Sequence, residues 1–302
     1  MSAIAKRHWP PALLPTQSEA VPAWRAAYSD RTSALMALFC ELAHDTFVAD
    51  RAVADQARGQ AIAGEAGRNE LKRRLEAGRF RLVKVFSRDQ AFLAVREGHF
   101  AVLAFRGTKG KELLDIDLNF RLVPLPGVPG VMVHCGFLEV FSRCKGEIEA
   151  AVNESVSPTL GFYITGHSLG GALAQIASAA LDRDNLAACY TFGSPRVGTA
   201  GFDEQVRCPH YRVINNWDLV PALPLAFFRG YSHNGDPRLL TPKRSVALRR
   251  DRYASFLYNI AAIVLVTLRT RRLLINDDHM IWNYRKRLEE IASARSPGST
   301  NP

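Results

Sequence analysis

Cysteine is scarce. The 302 residues hold five (Cys40, Cys135, Cys144, Cys189 and Cys208), an odd number, widely spaced and without a C-x-x-C pair. This excludes a small disulfide-stapled scaffold and favours thiols that act as buried hydrophobes in a reducing compartment. Internal repeats and low-complexity tracts are missing too. With 47% hydrophobic and 23% charged residues, the composition excludes a disordered chain, a collagen-like fibre and a polytopic membrane protein. The opening MSAIAKRHWPPALLPTQSE has no apolar h-region, so no Sec signal peptide is expected. Thiols and N-terminus together predict a cytoplasmic protein, peripheral to a membrane at most. Residues 1–22, with Pro10, Pro11, Pro15 and Pro22, read as a loose arm, and 291–302 as a disordered tail.

Acidic residues are rare in one stretch. Lys243–Arg287 holds eleven Lys/Arg against three Asp, and carries most of the net charge of +10. Such a segment suits an anionic surface, either phospholipid headgroups or nucleic acid. No reading helix or aromatic-interleaved basic motif accompanies it, which argues against nucleic acid.

What remains is enough chain for one large α/β domain, taken here as 23–290. Residues 23–49 have apolar positions at Leu35, Leu38, Phe39, Leu42 and Phe47 and predict a helix, with further helix over 50–79. FRLVKVF (80–86), AFLAVRE (91–97) and HFAVLAFRG (99–107) predict three strands. Residues 109–130 read as a long loop with a short helix at its start, and 137–152 as helix. A strand–helix rhythm follows: strand 160–166, helix 172–182, and strands 186–193 and 210–216. That spacing predicts a mostly parallel sheet with helices on both faces.

Gly166-His167-Ser168-Leu169-Gly170 fits G-x-S-x-G, with Gly171 next, at a predicted strand-to-helix turn. Glycines on both sides of the serine relieve crowding and permit a strained backbone that lifts its hydroxyl clear of the sheet. The helix N-terminus then aims free N–H groups at the same point, where an oxyanion can be held. A serine needs a histidine to take its proton and a carboxylate to orient that histidine. Asp218, just past the strand in VINNWDLVP (213–221), sits where such an acid belongs. Asp203 on a helical surface pattern and Asp236 in a Gly/Pro turn fit less well. His233 and His279 both follow Asp218, and chemistry alone does not choose between them. His134 falls outside the chain order, and His167 points the wrong way from the turn.

GHSLGGALA (166–174), TFGSPRVG (191–198), RVINNWDLVPALP (212–224), FRGT (105–108) and VHCGF (133–137) together resemble the class 3 lipases, the fungal triacylglycerol lipase-like group. The likeness runs from about residue 28 to residue 288. It implies an α/β-hydrolase fold, a Ser-Asp-His triad without metal or cofactor, and a mobile lid. Residue by residue it implies Ser168 as nucleophile, Asp218 as acid and His279, followed by Tyr284, as base. His233 matches a structural Y-x-H-x-G motif instead. The oxyanion hole by resemblance is Thr108 with the backbone N–H of Leu169. The stretch 107–120 aligns with the family's lid-bearing stretch, and the lid is expected over about 109–130. There Leu113, Leu114 and Asp117 align; Asp117 matches the family's Asp, while Leu114 stands where a lid Trp is common.

A further departure is the insert of about 241–275. Arginines at 249–252 and 269–272 bracket the apolar run YASFLYNIAAIVLVTL (253–268). As a helix its sixteen residues would cover about 24 Å, short of the roughly 30 Å hydrocarbon core. A helix lying on one leaflet is the expectation, and a buried core helix the alternative. The expected function is hydrolysis of lipid carboxylic esters, acylglycerol or phospholipid, through an acyl-enzyme. The alternatives are a short-chain or aryl-ester esterase, an acyltransferase and a catalytically silent lipase-like interaction protein.

Overall fold

The computed structural model describes residues 21–22, 24–54, 60–86, 91–107, 120–215, 218–224, 229–240, 246–248 and 277–294. Two helices come first, α1 (Asp30–Ala54) and α2 (Gln60–Ala77), then strands β1 (Arg81–Phe86), β2 (Ala91–Arg96) and β3 (Phe100–Phe105). A small hairpin follows, β4 (Leu122–Pro124) with β5 (Met132–His134), then α3 (Cys135–Ser142) and α4 (Lys145–Ser155). The centre is β6 (Gly161–His167), α5 (Leu169–Ala180), β7 (Leu186–Phe192) and β8 (His210–Asn215). The chain closes with β9 (Asp236–Leu240), β10 (Val246–Leu248) and α6 (Ile281–Ala294).

The eight-stranded sheet runs β1-β2-β3-β6-β7-β8-β9-β10. From β3 to β9 neighbouring strands are parallel, and the β1-β2-β3 and β9-β10 pairings are antiparallel. Both faces are covered, so β3, β6, β7 and β8 are buried at every position rather than at alternate ones, and β3 is apolar throughout. Along β3, Phe100, Val102 and Ala104 face a core with Phe39 and Leu42 of α1 and Leu288 and Ile291 of α6. Ala101, Leu103 and Phe105 face the opposite core, with Phe137, Ile148 and Leu173 of α3, α4 and α5.

Several boundaries differ from those expected. The helix read over 137–152 is two helices, broken at Arg143–Cys144. Asp236 opens a strand instead of sitting in a turn, because Asp236–Leu240 pairs in parallel with β8. The end of the arm is pinned: Val21 is fully buried, and Tyr163 Oη donates to Pro22 O at 3.3 Å. The tail is helical as far as Ala294, with Ile291 buried under the α1–α6 contact, where Glu41 pairs with Arg285. The run 253–268 and the start of the loop, 109–119, lie outside the described residues. No helix among the described residues is long and apolar enough to cross a membrane.

Candidate active site

The carboxyl ends of β6, β7 and β8 converge where the elbow turns into α5. Ser168 sits at the turn with φ 56° and ψ −126°. A non-glycine residue in that region carries strain of about 1–3 kcal/mol. Its own amide donates to Phe192 O at 2.9 Å, and its carbonyl accepts from Gly171 N at 2.9 Å, so the sheet and the helix both hold it. The flanking glycines are steric necessities. A Cβ on Gly170 would lie 2.5 Å from Phe105 O, and one on Gly171 would lie 2.7 Å from Ser194 Cβ.

His279 Nε2 lies 3.0 Å from Ser168 Oγ, and its Nδ1 lies 2.8 Å from Asp218 Oδ2. All three side chains are buried. The Asp218 carboxylate accepts two further bonds, from Tyr284 Oη to Oδ2 at 2.6 Å and from Val220 N to Oδ1 at 2.9 Å. Tyr284 Oη in turn accepts from Asn215 N at 2.9 Å. Burial and the neighbouring Asp218 push the Tyr284 phenol well above its ordinary range, so it serves as a neutral donor. With Nδ1–H donating to Asp218, Nε2 is left to accept the serine proton. This geometry can deprotonate an attacking hydroxyl and return the proton to a leaving group.

Gly193 makes room for this node. It has φ +56°, and a Cβ there would lie 2.5 Å from Asp218 Oδ2 and 3.1 Å from both His279 Nδ1 and Tyr284 Oη. Leu169 is the first residue of α5, so its N–H is among those without an intrahelical partner. Gly107 runs close to the elbow, where a Cβ would lie 2.8 Å from His167 O. Thr108 follows it in the chain and, with Leu113, Leu114 and Asp117, lies outside the described residues.

The rejected candidates have other work. Asp203 Oδ1 accepts from Gly235 N at 2.9 Å, and Asp236 pairs with Arg238. His134 caps α3, its Nδ1 accepting from Gly136 N and Phe137 N. His233 is half-buried and is not among the partners of Ser168 or Asp218. His167 stands outside the Ser168–His279–Asp218 chain, as expected, but it has a partner of its own. It turns from the serine but reaches the backbone of His279, with Nε2 2.6 Å from His279 O. Sequence reasoning gave no role to Tyr284, Gly193 or Asn215.

The profile described as lipase (class 3) matches residues 102–228, which include Ser168 and Asp218. That stretch is similar to the class 3 lipases. Among its relatives is the secreted mono- and diacylglycerol lipase 1 of Fusarium solani, 41% identical over 138 residues, a match covering 44% of this chain and 41% of the relative. The chain thus spans about two fifths of the length of the curated relatives it matches first. Among solved structures, the triacylglyceride lipase of Rhizomucor miehei superposes with a TM-score of 0.55 at 27% identity, covering 74% of this chain and 84% of that one. A triacylglycerol lipase whose catalytic centre is formed by a serine protease triad gives 0.51 at 28% identity, covering 72% and 83%. The fold is therefore that of an α/β-hydrolase. The same comparison overturns the cytoplasmic placement. The Fusarium relative is a secreted protein and points outside the cell, so the scarce, unpaired thiols do not assign this chain to the cell interior.

Proposed function

We propose that this chain is a serine lipase that hydrolyses carboxylic esters of lipids, acylglycerol or phospholipid, through an acyl-enzyme. The observation that carries the reading is the buried hydrogen-bonded chain Ser168–His279–Asp218 on a strained strand-to-helix turn. Ser168 Oγ attacks the ester carbonyl carbon while His279 Nε2 takes its proton. The tetrahedral oxyanion is met by the Leu169 N–H and by Thr108. Collapse breaks the bond to the alkoxide, which leaves as the alcohol with the proton from His279. Water then attacks the acyl-enzyme, its proton passing through His279 back to Ser168 Oγ as the fatty acid departs. Asp218 holds the imidazole in the Nδ1–H tautomer and stabilises its cationic form.

The lid is assigned to about 109–130 with Leu113, Leu114 and Asp117, and the basic 243–287 segment to docking on anionic membrane lipid. Their support is the alignment with the family's lid-bearing stretch and the charge of the segment. A fluorophosphonate probe is expected to label the protein one-to-one, with the adduct on Ser168. Fatty acid release from mixed phospholipid and diacylglycerol vesicles is expected to rise when anionic lipid is added. No adduct on Ser168 would return the chain to a silent lipase-like protein. Cleavage of soluble short-chain esters alone would make it an esterase.

Gly193→Ala is expected to lower kcat at least a hundredfold in a chain that still folds. The new methyl group strikes Asp218 Oδ2, and a displacement of about 1 Å in a reacting constellation costs roughly 10² in rate. The left-handed backbone adds only ~1–2 kcal/mol of strain. Ester kinetics beside circular dichroism check this, and a kcat within threefold of wild type would contradict it.

A further inference from the structure

His167 stands beside Ser168 and has no part in the proton relay, yet it is buried and its two ring nitrogens are used unequally. Nε2 lies 2.6 Å from His279 O. A carbonyl only accepts, so Nε2 carries the hydrogen and Nδ1 keeps a lone pair. Nδ1 is buried without a hydrogen-bond partner and faces Gly107, where a Cβ would lie 3.1 Å away. The ring lies against that of His279, with centroids 4.6 Å apart. One peptide earlier, Asp278 O accepts from Asn215 Nδ2 at 2.8 Å. Two consecutive carbonyls of the short turn Asp277–His279 are thus each held by a side chain from the sheet. Asn215 reaches from the end of β8, and His167 from the end of β6.

We propose that His167 is a positioning residue: by fixing the His279 carbonyl, its Nε2–H sets the direction in which the His279 imidazole leaves the turn. The inference rests on the hydrolase reading above. The His279 ring must meet partners on opposite nitrogens at 2.8 and 3.0 Å, and its side chain has two rotatable bonds to do so. A turn whose carbonyls rotate would carry the ring off one partner or the other. Burial, His279 and His44 hold the His167 imidazole well below its ordinary range, so it offers an N–H without placing a charge beside His279.

His167→Phe keeps a ring and removes the donor, while His167→Gln returns an N–H close to the place of Nε2. With p-nitrophenyl butyrate, kcat of the Phe variant is expected to fall at least tenfold with KM within twofold, and the Gln variant to recover most of the loss. The downfield proton resonance of His279 Nδ1–H, assigned by its disappearance in His279→Gln, is expected to move in the Phe variant and return in the Gln variant. Should the Phe variant not fold, His167→Asn, whose amide lies near the place of Nδ1, serves as the variant without the donor. Wild-type kcat and an unmoved resonance in the Phe or Asn variant would overturn the proposal. Equal losses in the Gln variant would overturn it too, in favour of packing alone. If wild-type protein neither hydrolyses esters nor labels at Ser168, the hydrolase reading falls, and the resonance alone decides for or against positioning by His167.

Discussion

Asp218→Asn is expected to lower kcat/KM on a soluble ester by about 10⁴ at neutral pH, with the melting midpoint little changed. The hydrogen-bond directions at Asp218 dictate the result. Oδ1 accepts from Val220 N, so an asparagine must keep its oxygen there or set two donors against each other. Its amide nitrogen then replaces Oδ2, the atom that accepts from His279 Nδ1 and Tyr284 Oη. Facing an N–H₂, the imidazole turns to the tautomer with hydrogen on Nε2. That nitrogen lies 3.0 Å from Ser168 Oγ and can no longer take its proton. The side chain keeps its volume and the site stays packed, so the change falls on chemistry rather than folding. A variant within tenfold of wild type would remove Asp218 from the acid role.

Local pattern points to Ser168 and Asp218, the proposed nucleophile and acid. The glycines around Ser168 and the strand preceding Asp218 are short-range signals, written within a few residues of each site. The proposed base is different. His279 is 111 residues from Ser168 and 61 from Asp218, so nothing local separates it from His233, and only the resemblance chose it. The sheet is legible through β8 because its strands are short apolar or alternating runs parted by polar turns, and β2, β3, β6, β7 and β8 are buried along almost their whole length. β9 is not, because Gly235 and Pro237 read as turn residues and strand geometry there comes from pairing with β8. Gly193, Asn215, His167 and Tyr284 fall within or mark the motifs of the resemblance, but nothing local spells out what each of them does. Each acts by touching a residue brought near only by folding. The direction of the His167 side chain from the elbow keeps it off the serine, and nothing local shows that it reaches the turn behind.

Gly166→Ala is expected to cost more than about 4 kcal/mol, a large share of the 5–15 kcal/mol that holds a typical domain. Its Cβ would lie 2.0 Å from Gly170 O, 2.2 Å from Gly170 C and 2.7 Å from Gly171 N. All three are backbone atoms, so no side chain can swing aside. Gly166 cannot retreat either, being paired in register with Phe105 on one side and Thr191 on the other. On the far side of the clash, α5 is buried from Leu169 to Ser178, and moving it off the sheet would open a packed core. The melting midpoint should fall by roughly 10 °C or more, or the chain should fail to fold. Gly146→Ala in α4 is the control, since a Cβ there meets nothing within 4 Å and alanine favours helix by about 1 kcal/mol. If the two variants melted together, the close approach of strand and helix at the elbow would not be what requires glycine at position 166.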